Sequence, residues 1–412
     1  MFLAWALSMS TSTNTSAAPL DGIRIVDMTS LGMGPLAAQI LGDHGADVIK
    51  LESPDGDIFR HVLPRRSEGM SHTFIQFNRN KRSVALDLKM PDGKEAMLRL
   101  VGTADVVLSS LRPTAMARLG LTEAALRAVR PDLIYCACYG YSEKGPYAGR
   151  PAADDTIQAM SGLTGLQQMS TGQHQFVPSV IADKAVGQAV ANAVMAAIIH
   201  RLRTGEGQAI EVPMFETMVA FVMPEHVAGR TFEPPIGGIG YARILAAQRR
   251  PHRTKDGYLC IMPYTTAQWQ RFLKLIGRDD LANDPDIADM GGRSRRFEEL
   301  YAVIADAAPS RSTDEWIADL VQHDILFGKI NTPDELLNDP HLLAMNMFPT
   351  VDHPSEGLIR LLGFPISYSR TPNRLRHLPP KIGQHTQALL RELGYSDEEL
   401  RAMQARRAII CA

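Results

Sequence analysis

From Pro19 onward, short apolar runs alternate with longer segments whose apolar residues recur at helical spacing. Residues 23–27 are rich in β-branched side chains and read as a strand. Gly34 and Pro35 open a helix to about His44, Gly45 stops it, and residues 47–52 form a second strand. Strand, glycine turn, helix and strand make a βαβ unit, which requires parallel strands. The alternation continues with a strand over 83–88, a helix over 92–101 and a strand over 105–109. Thr122 then caps a helix to about Val129, with Glu123 favourably placed in its first turn, and 133–139 is a further strand. The pattern predicts an α/β fold: a Rossmann-like parallel sheet with helices on both faces.

A long helix follows over 183–203, in which Ala185, Gly187, Ala189, Ala191 and Ala193 allow close packing, then a strand over 208–212. After a glycine- and proline-rich loop at 234–241 the composition shifts. A strand at 257–262, a helix at 268–276 and acidic, arginine-rich helices to about Gln322 suggest a smaller α+β domain. The expected organisation is a large domain over 19–224, the small domain over 225–330, and a C-terminal part, 331–412, that returns to the large one. Residues 1–18 read as a disordered extension. Their apolar start lacks the basic region and longer apolar core of a signal peptide, and a polar run from Ser10 to Ser16 follows. Met9 is an alternative start, with residues 1–8 an upstream extension. No run of about 20 apolar residues, the length that spans a bilayer, is read in the sequence.

With 412 residues, 45% of them hydrophobic, the chain can bury a large core. Its 43 basic and 45 acidic residues leave a net charge of -2, which supplies no electrostatic drive toward nucleic acid or membrane. Four cysteines form no C-x-x-C pair; Cys136 and Cys138 would share a strand face and cannot easily bridge. Reduced thiols suit the cytoplasm. The twelve histidines show no metal-binding spacing, so no metal site is expected. The turn Gly32-Met33-Gly34-Pro35 lacks the third glycine of a dinucleotide fingerprint, which argues against nicotinamide.

Several segments, in order and at consistent spacing, resemble the class III coenzyme A transferases, the group that includes formyl-CoA:oxalate and carnitine CoA-transferases and α-methylacyl-CoA racemase. They are L-D-G-I-R-I-V-D at 20–27, Gly34-Pro35, G-A-D-V-I-K-L-E at 45–52, N-R-N-K-R-S at 78–83 and A-L-D-L-K at 85–89. Further on come Arg112-Pro113, R-L-G-L at 118–121, G-P-Y at 145–147, Asp154 with Gln158-Ala159, I-A-D at 181–183, R-T-G-E-G-Q at 203–208 and G-Q-H-T at 383–386. The resemblance runs from Leu20 to about Leu400. It implies two chains interlocked like links, a homodimer, with no permanently bound cofactor and with acyl-CoA and a small carboxylic acid as the partners.

By that resemblance Asp183 is the catalytic carboxylate, which attacks the thioester and carries CoA between acids. Its place at the start of a helix equally suits an N-cap, and its charge suits a helix N-terminus. Asp154, paired with Asp155, aligns with a glutamate beside the thioester in the formyl-CoA enzyme; a solvated turn before a helix at Thr156 is the other reading. Pro151 and Ala153 replace a lysine and a tyrosine there. For CoA the resemblance points to Leu31, to Leu86, Asp87, Leu88 and Lys89, to Ser110, Leu111 and Arg112, and to Arg118 near the nucleotide phosphates, where a rigid fork of donors fits. Gly32 and Ser53 depart from the formyl-CoA enzyme, which has a glutamine and an arginine at those positions. Gly237, Gly238 and Gly240 resemble the glycine loop over the acyl site, though an interdomain linker would look the same. Arg243, Arg249, Arg250 and Arg253 after it are candidates for a free carboxylate or form a solvated basic face.

Two rival functions share the fold or the ligand. Racemisation at an α-carbon needs a base on each side; the family's second base, a histidine, is replaced here by Ala153, with His174 as the available substitute. A non-catalytic CoA-binding subunit of a hetero-oligomer would have no need of Asp183.

Overall fold

In the computed structural model, which describes residues 18–412, six strands follow one another in parallel: β1 (Arg24–Met28), β2 (Asp47–Glu52), β3 (Lys81–Leu86), β4 (Val106–Ser109), β5 (Ile134–Tyr139) and β6 (Ala209–Pro213). The expected N-terminal extension and the choice between Met1 and Met9 lie outside the described residues. Nearly every residue of β1, β2, β4 and β5 is buried, as a sheet covered on both faces demands. The order across the sheet is β3-β2-β1-β4-β5-β6, and Ile409–Ile410 adds an antiparallel edge beside β3. The chain therefore winds outward from β1 in one direction, then crosses to β4 and winds in the other. The crevice between β1 and β4, at the carboxyl ends of the strands, is where such sheets bind ligands.

The chain divides into two compact units. One runs through Ala153 and resumes over Val180–Thr217 and Asn346–Ala412; the other comprises Asp154–Ser179 and Met218–Met345. The division falls at 217/218 and 345/346, where composition had suggested 224/225 and 330/331, and residues 154–179 cluster with the second unit. In that unit β7 (His252–Arg253), β8 (Tyr258–Met262) and β9 (Leu326–Lys329) form an antiparallel sheet. It packs on helices through Trp269, Phe272, Tyr301 and Trp316.

Helix Ile181–Thr204 is long and apolar enough to cross a membrane, although no such stretch was read in the sequence. In the first unit it behaves as a core helix. Val186, Val190, Val194 and Ile198 are buried on one side, and Gly187 lies so close to helix Met33–Asp43 that a Cβ would stand 2.7 Å from the Met33 carbonyl oxygen. Arg201 near its end donates to Asp105 at 2.8 Å.

Charged side chains sit inside this sheet. Lys81 Nζ donates to Asp27 Oδ2 at 2.9 Å, Lys50 to Asp57 at 2.8 Å, and Arg60 to Glu52 at 2.7 Å. All six are buried. Burial alone would raise Asp27, but the ammoniums of Lys81 and Lys50 and the hydrogen bonds from Thr29 and Lys81 outweigh it and hold its carboxyl low. Burial pushes Lys81 down to about 8, with Asp27 pulling the other way.

Two outcomes follow from this packing. Gly187→Ala forces a methyl group against a backbone carbonyl, and urea unfolding should show a loss of about 1–3 kcal/mol; an unchanged midpoint would contradict the close approach. Asp27→Asn strands the Lys81 ammonium and should cost about 3–5 kcal/mol near neutral pH. Folded Lys81 releases its proton near 8, while the unfolded chain holds it to about 10.5, so the cost of burying its charge is full below the lower value and fades as pH rises. The loss caused by Asp27→Asn should therefore be smaller at about pH 10, where Lys81 is largely neutral; an equal loss at both pH values would argue against the pair.

Candidate active site

The carboxyl ends of the parallel strands open into a cavity of about 260 Å³, bordered by Met28 and Ser30 at the end of β1, Glu52 and Ser53 at the end of β2, and Leu86 to Lys89 at the end of β3. Strand β3 ends at Leu86, two residues before the expected boundary, which frees Asp87 and Leu88 to turn at the sheet edge. Asp87 shapes that turn by accepting the Lys89 N–H at 3.0 Å. Leu88, Lys89, Leu111 and Leu119 also line a second, larger cavity of about 780 Å³, completed by Lys94 and Arg118. Among the described residues, three cations and no acidic side chain border that cavity. A smaller cavity of mixed apolar and polar lining that continues into a cationic one suits a ligand with an amide-bearing arm and a phosphorylated end.

Of the residues expected to hold CoA, Leu86, Asp87, Leu88, Lys89, Leu111 and Arg118 thus line these cavities. The others stand nearby in supporting contacts. Ser110 Oγ accepts the Ser30 N–H at 3.3 Å and so joins the ends of β1 and β4. Leu31 donates its N–H to Asp57 at 3.1 Å. Arg112 donates to the Gly149 carbonyl at 2.9 Å and begins helix Pro113–Leu119.

Asp183 is the third residue of helix Ile181–Thr204; the cap position is Val180, which makes no side-chain cap bond. The N-cap role open to Asp183 in the sequence is thereby set aside, since the helix begins two residues earlier than expected. Its carboxylate lies against the turn after β1: a Cβ on Gly32 would stand 2.4 Å from Asp183 Oδ2 and 3.0 Å from Cγ. Gly32 also precedes helix Met33–Asp43, so the carboxylate meets the positive ends of two helices, its own and this one. Gly34 is fixed by the same crowding, with a Cβ falling 2.3 Å from the Thr29 side chain.

Asp154 belongs to the second unit. It is the buried first residue of helix Asp154–Met160, and its Oδ2 accepts from Gln158 Nε2 at 2.6 Å. The solvated-turn reading is corrected accordingly, while Asp155 beside it is exposed. Gly237 to Gly240 form a loop tied back on residues 226–229: Gly229 donates to the Gly238 carbonyl at 3.1 Å and Gly240 to the His226 carbonyl at 2.7 Å. A Cβ on Gly229 would collide with Gly237 at 2.4 Å, and Gly240 has φ +101°, so this crossing needs glycine. Arg243 covers the Tyr264 ring, Arg249 and Arg250 border a cavity of about 600 Å³ with His226 and Gln167, and Arg253 is exposed in β7. His174 is exposed in the loop after helix Leu163–Thr171. Among the described residues no cluster of metal-binding side chains occurs.

Sequence reasoning passed over Lys94, Glu52 and Asp57. Lys94 looked like any helix-surface lysine. Glu52 and Asp57 carried one signal: Lys50 interrupts the apolar residues Val48, Ile49 and Leu51 of a parallel strand, and a buried lysine demands carboxylates.

Comparison with known proteins gives the context for this geometry. The sequence profile of CoA-transferase family III matches residues 20–386. A Mycobacterium tuberculosis protein named "probable fatty acyl-CoA transferase Rv3272" is 34% identical over 394 residues, 92% of this chain and 99% of that protein. The succinate–glutarate CoA-transferase of Agrobacterium fabrum is 31% identical over 91% of this chain and 96% of its own length. The crystal structure of a CaiB/BaiF family protein from Brucella suis superposes with a TM-score of 0.77 at 31% identity, covering 92% of this chain and all of that one, 100%. The profile spans nearly the whole chain and the likeness holds in sequence and fold alike: the chain belongs to CoA-transferase family III and is a class III CoA-transferase.

Proposed function

We propose that this enzyme moves CoA from an acyl-CoA thioester to a free carboxylic acid through covalent intermediates on Asp183. The observation that carries the reading is the meeting of Asp183 with Gly32 at the carboxyl edge of the sheet, where a side chain on residue 32 would occupy the carboxylate's space. An Asp183 oxygen attacks the thioester carbon; the C–S bond breaks, leaving an aspartyl-acyl anhydride and the CoA thiolate. The thiolate attacks the aspartyl carbon, the first acid departs, and an aspartyl-CoA thioester remains. The acceptor carboxylate attacks that carbon, releasing the thiolate and forming a second anhydride. The thiolate then takes the new acyl group and frees Asp183. No net proton moves and the thioester is conserved, so no ATP is needed. Dividing one exchange into covalent steps is nucleophilic catalysis. The two helix N-termini favour the ionised nucleophile and the oxyanions that follow.

Lys89 and Arg118 serve the phosphates of CoA in this reading, and Leu86 to Leu88 with Leu111 border its pantetheine arm. The relatives are named for fatty acyl and for succinate and glutarate substrates; what they share is a thioester donor and a carboxylic acid acceptor, and we assign this chain that chemistry. Within the second unit, Asp154 is kept as the candidate auxiliary carboxylate and Gly237, Gly238 and Gly240 as the candidate substrate loop. Ile199 and Leu202, 55% and 71% exposed near the end of the long helix, support a homodimer. The four free thiols suit a cytoplasmic enzyme.

Asp183→Ala and Asp183→Asn should each abolish CoA exchange between succinyl-CoA and a panel of acids while CoA still binds, and hydroxylamine added to the wild type with acyl-CoA should displace the group from the activated aspartyl carbonyl and leave a hydroxamate on Asp183. A label on Asp154 with Asp183→Ala still active would overturn the assignment. Arg118→Ala should raise the KM for acyl-CoA about ten- to hundredfold, the worth of one charge-assisted hydrogen bond, and leave the KM for the acid nearly unchanged. An unaltered acyl-CoA KM would remove Arg118 from the site.

A further inference from the structure

The turn after β1 has a backbone that its sequence does not favour. Leu31 has φ +67°, in the left-handed region that glycine and asparagine enter readily and leucine enters only at a cost. The support for it comes from elsewhere in the chain. Asp57 Oδ1 accepts the Leu31 N–H at 3.1 Å, and Asp57 Oδ2 pairs with Lys50 Nζ at 2.8 Å. Lys50 in turn donates to the Thr29 carbonyl at 3.0 Å. One buried ion pair, with side chains 0% and 1% exposed, thus grips the turn at both of its peptide groups. Asp57 is itself fixed: its own N–H donates to Glu52 Oε1 at 3.0 Å, and Arg60 clamps the Glu52 carboxylate through two bonds of 2.7 Å. The residue after Leu31 is Gly32, whose backbone lies against the Asp183 carboxylate.

We infer that Asp57 is a positioning residue for the transfer step: by holding Leu31 in its left-handed conformation it keeps Gly32 against the Asp183 carboxylate. The inference rests on Asp183 being the nucleophile. Without the grip, Leu31 relaxes toward negative φ, the Gly32 peptide swings, and the carboxylate loses the wall that aims it at the thioester. Asp57 also borders the smaller cavity, but the phosphate-binding cations stand on other elements, so the larger part of the effect falls on kcat.

The test is a double-mutant cycle between Asp57→Ala, which removes the acceptor of the Leu31 N–H, and Leu31→Asn, with kcat and KM measured per folded enzyme. Asparagine at position 31 adopts positive φ by itself, and so supplies locally what Asp57 supplies at a distance. Asp57→Ala alone should lower kcat about tenfold, close to the cost of one left-handed residue, and change the acyl-CoA KM less than about threefold. In the Leu31→Asn background the same substitution should cost less than about threefold in kcat. An equal kcat loss in both backgrounds, or a loss confined to KM, overturns the inference. Should Asp57→Ala fail to fold, Leu31→Val carries the test, because a β-branched residue resists positive φ; its kcat should fall about tenfold below that of Leu31→Asn, and equal values overturn the inference. Hydroxylamine trapping on the wild type separates the two readings. An unlabelled Asp183 during active transfer sinks the nucleophile and Asp57's role together, whereas a labelled Asp183 with kcat indifferent to these variants sinks only the role of Asp57.

Discussion

Three acids and three bases, Asp27, Glu52, Asp57, Lys50, Arg60 and Lys81, lie buried in and beside the parallel sheet of the first unit. A single unpaired charge in such surroundings would cost about 3–5 kcal/mol, a large share of a domain's margin of stability, so the pairs depend on one another. Each carboxylate has its cation, and several of the remaining lone pairs and protons go to backbone groups: Lys81 to the Pro35 carbonyl, Lys50 to the Thr29 carbonyl, Asp57 to the N–H groups of Leu31 and Phe59. Such networks contribute little net stability compared with an apolar core. What they contribute here is geometry, because every one of those backbone groups belongs to the turn after β1, the helix it starts, or the segment after β2.

The site inherits its position from that geometry. Parallel strands bring the ends of β1, β2, β3 and β4 to one edge, and the reversal between β1 and β4 opens the crevice there. Gly32 and Gly34 let the turn fold against Asp183 and Thr29, and Gly187 lets the long helix approach closely enough to deliver Asp183. The same logic explains the most recognisable segments. In 78–83, Arg79 pairs with Asp43, Asn80 donates to Asp43, Lys81 to Asp27, and Arg82 to Asp47 and Glu392. In 383–386, Gly383 donates to Ser83 Oγ, while His385 Nδ1 and Thr386 Oγ1 accept from the N–H groups of Ser83 and Ala85. Burial pushes the His385 imidazole down to about 4, so it serves as a neutral acceptor. These motifs resemble the family by what they hold together.

Legibility followed the range of the forces involved. The alternation of strand and helix was readable because period and glycine punctuation are local, and observed boundaries differ from the expected ones by one or two residues at most of the main elements. Helix Asp154–Met160 begins two residues before the helix expected at Thr156, and the antiparallel edge at Ile409–Ile410 was missed. That edge is a two-residue pairing made only when the chain end meets β3. The hairpin Thr350–His353 with Gly357–Arg360 escaped for a similar reason, its turn lacking a strong sequence signal.

The sequence by itself determined the parallel α/β character, the family resemblance and the candidacy of Asp183, because each is encoded in residue types at fixed spacing. It also pointed to Leu86 through Lys89 and to Arg118. That Asp183 is not the cap of its helix was decided only by the structure, since a cap and a third-position carboxylate differ by where the helix begins. The contact between Gly32 and Asp183, separated by about 150 positions in sequence, likewise exists only once two helices are packed. The left-handed Leu31 is the sharpest case: local preference opposes it, and a carboxylate 26 positions away, buried with its lysine, holds it in place. Long-range burial can impose a backbone that no local pattern announces, because the cost of one strained residue is smaller than that of an unsatisfied buried charge.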